Sequence, residues 1–164
     1  MKQLIIDGYN AISKIREFNL KKDISLEVSR LSFIKAMVDF RQRNHLFEKI
    51  VVVFDGKGEG LGFEQQSYRN IEALFSKKDK DADAVIVDIL KGAPQKNKIT
   101  VCSDDNFVRN HARAFGAGIM AIKELEVLIS LKKEKIRSKI IEKDLEDSKL
   151  EDITRELKRH WGID

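Results

Sequence analysis

Ile50-Val51-Val52-Val53-Phe54-Asp55 decides the reading of the fold. The run is β-branched and aromatic with no polar alternation, which describes a strand buried on both faces, as in a parallel sheet covered by helices. It ends in an acid, and the same grammar recurs. Leu4-Ile5-Ile6 ends in Asp7, and Ile99-Thr100-Val101-Cys102-Ser103 ends in Asp104 and Asp105. Asp81 and Asp83 open the apolar helix Ala84–Leu90. In an open α/β sheet, ligands bind beyond the carboxyl ends of the strands, so parallel strands would bring these carboxylates to one edge. Clustered carboxylates raise each other's pKa and resist full ionisation without a cation. Hard oxygen ligands favour Mg²⁺ or Mn²⁺, so the pattern points to a metal site for phosphate chemistry.

Working outward, Lys2–Ile6 reads as the first strand, and Gly8 permits an abrupt turn into a helix from about Tyr9. Ser25 is the N-cap of a second helix reaching Asn44, with Leu31, Ile34, Met37 and Val38 at helical spacing. The glycine-rich stretch Gly56–Gly62 lacks the Gly-Lys-Ser/Thr order of a phosphate-binding P-loop and opens no helix, so it reads as a plain loop or a lid. A third strand is expected over Ser67–Phe75 and a helix over Ala82–Leu90, stopped by Gly92-Ala93-Pro94. A fourth strand follows over Ile99–Cys102, then a helix over Asp105–Phe115 with Gly116 as its C′ residue, then a short fifth strand over Gly118–Ile122. The alternation predicts a three-layer α/β fold with a mostly parallel sheet of about five strands flanked by helices. Beyond Lys123 no strand is visible, and Leu125 to Trp161 carry apolar residues at helical intervals among dense charges. A capping box at Ser148-Lys149-Leu150-Glu151 marks a break near Asp147. We therefore expect a domain over 1–130 and a charged C-terminal helical extension over 131–164, either packing back on the domain or serving as a partner- or RNA-binding arm.

The 164 residues suit one domain with a real core, and 42% hydrophobic with 35% charged content describes a soluble globular chain. The formal net charge of +4 permits nucleic-acid binding without demanding it. A single cysteine, Cys102, excludes an intramolecular disulfide and reads as a buried thiol rather than a nucleophile, which fits a reducing compartment. The first residues show no signal-peptide pattern, and no apolar run is long enough to cross a membrane. The expectation is a cytoplasmic protein with no membrane partner and no small-molecule organic cofactor.

Each candidate residue carries two readings. Asp7 suits direct metal ligation and Asn10 an amide that orients a carboxylate or phosphate, yet both could merely cap the following helix. Asp81 and Asp83 lie where a helix N-terminus favours an anion in any case. Asp104 and Asp105 could divide into a ligand and a neighbour that orients it, or Ser103 or Asp104 could be a simple N-cap. Asp55-Gly56 is also an ordinary turn. His45, His111 and His160 lack metal-ligand spacing. Arg109 and Arg113 share a helix face and could meet phosphate, as could Lys57, Lys77 and Lys78, though a solvated helix face is the favoured account of the two arginines and a plain loop that of Lys57. Tyr9 or Phe107 could stack a base or belong to the core.

Asp7-Gly8-Tyr9-Asn10 after a first strand, Ala82-Asp83 after Phe75-Ser76, and Val101-Cys102-Ser103-Asp104 followed by Ala112-Arg113 and Gly116-Ala117 resemble the YacP-like NYN domain of the PIN-like nuclease superfamily. The resemblance runs in order over about residues 1–130. It implies a Rossmann-like PIN/NYN fold and a divalent-metal endoribonuclease hydrolysing RNA phosphodiester bonds, with mRNA on the ribosome as a substrate context. It places Asp7, Asp83 and Asp104 in the acidic metal site and Asn10 beside it, with Asp105 and Asp81 matching less firmly. The implied cofactor is Mg²⁺ or Mn²⁺, which lowers the pKa of a bound water and offsets transition-state charge. Two rivals are a non-catalytic RNA- or ribosome-binding module, and a phospho-receiver domain with Asp55 as acceptor. Receivers usually carry an acidic pair after the first strand, where this chain has Asp7-Gly8.

Overall fold

The computed structural model describes residues 1–56, 66–68, 70–130 and 155. The chain divides into two compact units, Met1–Val127 and Leu128–Asp164. The helical extension expected over 131–164, apart from Arg155, lies outside the described residues, as do Lys57 and the rest of the glycine-rich stretch after Gly56.

Among the described residues six strands form the sheet: β1 (Gln3–Asp7), β2 (Lys49–Phe54), β3 (Gln66–Tyr68), β4 (Ile71–Phe75), β5 (Ile99–Cys102) and β6 (Gly118–Met120). Their order is β3-β4-β2-β1-β5-β6. Every neighbouring pair is parallel except β3 with β4. Helices α1 (Gly8–Lys14), α2 (Arg16–Lys21) and α3 (Leu26–Arg43) connect β1 to β2. Helix α4 (Ala82–Gly92) and a 3₁₀ turn at Lys96–Lys98 connect β4 to β5, and α5 (Asn106–Ala114) connects β5 to β6. Residues 122–130 are helical. The mostly parallel α/β architecture expected from the strand pattern is therefore present, with one antiparallel edge strand added.

From β1 the sheet grows to one side through β2 and β4, and to the other through β5 and β6. The order reverses between β1 and β5, and such a switch point opens a crevice at the carboxyl ends of the strands. Register decides what meets there. Ile6 pairs with Cys102, so Asp7 and Ser103 leave the sheet side by side.

Period-2 alternation distributes the central strands between two cores. On one face, Ile5, Val51, Val53, Ile99 and Val101 pack with Ala82, Ile86 and Leu90 of α4 and Val108 and Ala112 of α5. The alternate residues Leu4, Ile6, Ile50, Val52 and Phe54 are fully buried on the opposite face, as are Ile12, Phe33 and Met37 of the helices between β1 and β2. Phe18 of α2 meets Phe33 of α3 edge to face at 5.1 Å. Ser25 caps α3 as expected, its Oγ accepting the Val28 N–H at 3.0 Å.

Three departures have identifiable causes. The single strand expected over Ser67–Phe75 is a hairpin, because Asn70 adopts a left-handed conformation (φ 72°) and lets Tyr68 pair with Ile71. Asparagine tolerates that region better than most residues, and no glycine or proline marks the turn. The first helix is broken at Ile15, whose backbone is extended and whose side chain is buried. Ile122 opens the 122–130 helix rather than closing β6, since its N–H is taken by Asp104 Oδ1 at 3.0 Å.

Phe33→Ala should destabilise the fold by about 3–5 kcal/mol, since it empties a fully buried site. Leu31→Ala on the exposed side of the same helix should cost no more than about 0.5 kcal/mol. Urea unfolding of both variants checks the burial pattern, and equal losses would contradict it.

Candidate functional site

Asp7 ends β1 and caps α1, and it is only 7% exposed. Its Oδ1 accepts the Asn10 N–H at 3.4 Å, and its Oδ2 accepts the Ser103 hydroxyl at 3.3 Å. Gly8 follows at once because a Cβ there would collide with the Phe54 ring and the Val53 carbonyl, so the glycine serves close approach of α1 to β2. Burial raises the Asp7 pKa to about 6; the charges of Asp83 and Asp105 push the same way, and the Asn10 and Ser103 hydrogen bonds oppose.

Asp83 lies in the first turn of α4 and is half-buried. Burial raises its pKa too, followed by the charges of Asp105, Asp81 and Asp55. Asp105 thus acts on both Asp7 and Asp83. Its Oδ1 caps α5, accepting the Phe107 N–H at 2.8 Å and the Val108 N–H at 3.2 Å. Ser103 links these acids, since its buried hydroxyl donates to Asp7 and accepts the Asp105 N–H at 3.1 Å.

Asp104 turns to other partners. Its Oδ2 pairs with Lys14 Nζ at 3.1 Å, its Oδ1 accepts the Ile122 N–H, and its own N–H donates to Asn10 Oδ1 at 3.1 Å. Burial works against its charge, but the Ile122 and Lys14 hydrogen bonds and the charges of Lys14 and Arg109 hold its carboxyl below the usual range. Asn10 therefore braces the turn after β5 through the Asp104 backbone. Asp81 is exposed and caps α4, accepting the Ala84 N–H at 2.9 Å. Asp55 accepts the Ser76 hydroxyl at 3.4 Å, and Gly56 rests against the Ser76 backbone with its N–H on Ser76 Oγ at 3.0 Å.

The fold thus couples Asp7, Asp83 and Asp105, with Asp81 and Asp55 contributing through Asp83, and ties Asp104 to Lys14. Among the described residues, no three His, Cys, Asp or Glu side chains converge to hold a metal ion as they stand. The chemistry of the donor set still fits a hard divalent cation: carboxylate oxygens, one of them buried, whose repulsion such a cation relieves.

Of the cations expected to meet RNA, Lys77 and Lys78 are exposed between β4 and α4, and Arg113 is exposed on α5. Arg109 is half-buried, and its Nε has no hydrogen-bond partner among the described residues. Two cations near the site carried no signal that the sequence reading used. Lys14 stands four residues after Asn10 and so shares its helix face. Arg30 of α3 donates to the Tyr9 hydroxyl at 2.9 Å and lies over the Phe75 ring at 5.6 Å, which only tertiary packing reveals. Cys102 is fully buried, and burial pushes its thiol pKa far up, as suits a core residue rather than a nucleophile.

The family model of the YacP-like NYN domain, a nuclease-like family, matches residues 4–161. Two crystal structures of Rae1 (YacP) from Bacillus subtilis share the fold. A tryptophan-to-leucine mutant is 22% identical, with a TM-score of 0.69 over 87% of this chain and 83% of that one. A second structure is 24% identical, with a TM-score of 0.63 over 98% of this chain and 94% of that one. No curated protein matches the chain significantly.

Asp7→Asn removes a charge that burial disfavours and keeps an acceptor for the Asn10 N–H. With a folded pKa of about 6 against 3.8, the folded state holds the proton more tightly, so stability falls as pH rises between those values. In chelator the variant should be more stable than the parent near pH 7.5, by at most roughly 3 kcal/mol. The margin should vanish as pH falls to about 4. Urea midpoints that coincide at every pH would contradict the burial cost assigned to Asp7.

Proposed function

The chain belongs to the YacP-like NYN domain family, and on that premise we propose that it is a divalent-metal-dependent endoribonuclease hydrolysing RNA phosphodiester bonds. The observation that carries the proposal is Asp7, a buried carboxylate at the switch point whose pKa is raised to about 6 by burial, Asp83 and Asp105. Charge collected this way is costly for the apoprotein. Sites that hold hard cations for phosphoryl chemistry are built from such carboxylates.

Asp7, Asp83 and Asp105 would hold Mg²⁺ or Mn²⁺. When bound, the cation supplies activation of a water nucleophile and neutralisation of charge developing on the phosphate oxygens. Ser103 orients both Asp7 and Asp105 through one hydroxyl. Asn10 and Lys14 fix Asp104, which sets the path of the turn that delivers Asp105. In this proposal Asp104, for which the family resemblance implied metal ligation, is a positioning residue, and Asp81 holds the start of α4. Arg109, Arg113, Lys77, Lys78 and Lys57 would track the RNA backbone. Cytoplasmic location and mRNA on the ribosome complete the proposal as its biological setting. Among the described residues, no helix is long and apolar enough to cross a membrane.

A second reading, a non-catalytic RNA- or ribosome-binding module, is favoured by one observation: no acidic triad closes around a point among the described residues. Cleavage of a mixed RNA pool separates the two, assayed with Mn²⁺ or Mg²⁺ and with or without ribosomes. Metal-dependent cutting that falls by roughly a hundredfold or more in Asp7→Asn, Asp83→Asn and Asp105→Asn, each folded, is expected of the nuclease. No cutting by the parent in any arm, with RNA binding retained, would establish the binding module instead.

A further inference from the structure

Among the described residues, the exposed large hydrophobic side chains include one aromatic, Phe107, 53% exposed. Its position is not incidental to the site. The Phe107 N–H is one of the two that Asp105 Oδ1 accepts, so the ring projects from the same turn as the acid acting on Asp7 and Asp83. Val108 and Ala112 are fully buried and fix which side of α5 faces the sheet, which keeps Phe107 on the solvent side.

The ring is also held. His111, one helical turn on, packs against it in a tilted arrangement with centroids 4.2 Å apart and planes inclined by 47°. His111 Nδ1 lies 2.8 Å from the Phe107 carbonyl oxygen. A carbonyl can only accept, so Nδ1 donates and the contact orients the imidazole. Tyr9, the other aromatic candidate, is spent on internal contacts: its ring packs on Phe54 at 5.2 Å and its hydroxyl accepts from Arg30.

We propose that Phe107, backed by His111, is a stacking platform for an unpaired base of the RNA beside the scissile phosphate. The proposal rests on the nuclease reading and deepens it. Every base has a π-face, so the platform selects for unpaired strand rather than sequence. A duplex, whose faces are already stacked, gains nothing from it.

The test uses the full chain in EDTA, which separates binding from cleavage. The probes are a fluorescein-labelled single-stranded oligoadenylate and a duplex RNA of equal length, read by anisotropy. Phe107→Ala should weaken oligoadenylate binding by roughly 5- to 100-fold and leave duplex binding unchanged, while Phe107→Trp should restore it. Equal loss on both probes, or failure of tryptophan to rescue, would mean that the side chain matters only for folding or charge placement and would overturn the platform. Oligoadenylate binding unchanged in Phe107→Ala would also overturn it, and metal-dependent cleavage by the parent protein would then leave the nuclease reading standing. A parent protein that neither binds nor cuts either RNA would remove both.

Discussion

Burying a carboxylate at the end of the central strand is the constraint from which the rest of the site follows. β1 lies between β2 and β5, and its last residue leaves the sheet where the strand order reverses. Water scarcely reaches Asp7 there, and an ionised carboxylate without compensation would be expensive. The compensation within the described residues is modest: one backbone N–H and one hydroxyl, both at long distance. Asp83 and Asp105 increase the cost rather than relieving it. A structural role alone would favour asparagine or serine at this position, and in the proposed nuclease the carboxylate would be kept for chemistry at the expense of stability.

The acids also serve as helix caps, and the two roles are compatible. Asp7 caps α1, Asp81 caps α4 and Asp105 caps α5. A carboxylate has two oxygens, and in Asp105 a single one receives both capping N–H groups. The helix N-termini place partial positive charge at the same edge and offset part of the repulsion among the acids. Asp104 shows the contrasting arrangement. Lys14 and the Ile122 N–H each occupy one of its oxygens, which stabilises the turn and leaves its neighbour to face Asp7 and Asp83.

Much of the fold was legible because its signals are local. Short runs rich in β-branched and apolar residues marked β1, β2 and β5. Ser25 and Gly116 marked helix ends that the structure places where capping chemistry requires. The β3–β4 hairpin was not legible, because its turn relies on Asn70 without a glycine. At the site, strand ends pointed to the acids as a group. Which of two adjacent aspartates turns toward Asp7 depends on contacts from α1 and from the 122–130 helix, and adjacency in sequence cannot report that. Lys14 was readable from its spacing to Asn10. Arg30 reaches Tyr9 only because α3 packs beside α1, and no pattern within α3 announces it.

The central claim is that Asp7, Asp83 and Asp105, rather than Asp104, form a cation site. Calorimetric titration of Mn²⁺ into the metal-free chain and its single Asp→Asn variants tests this most directly. Saturable binding to the parent, lost in Asp7→Asn, Asp83→Asn and Asp105→Asn and retained in Asp104→Asn, is the predicted result. Binding abolished by Asp104→Asn but unaffected by Asp105→Asn, or no binding to the parent, would contradict it.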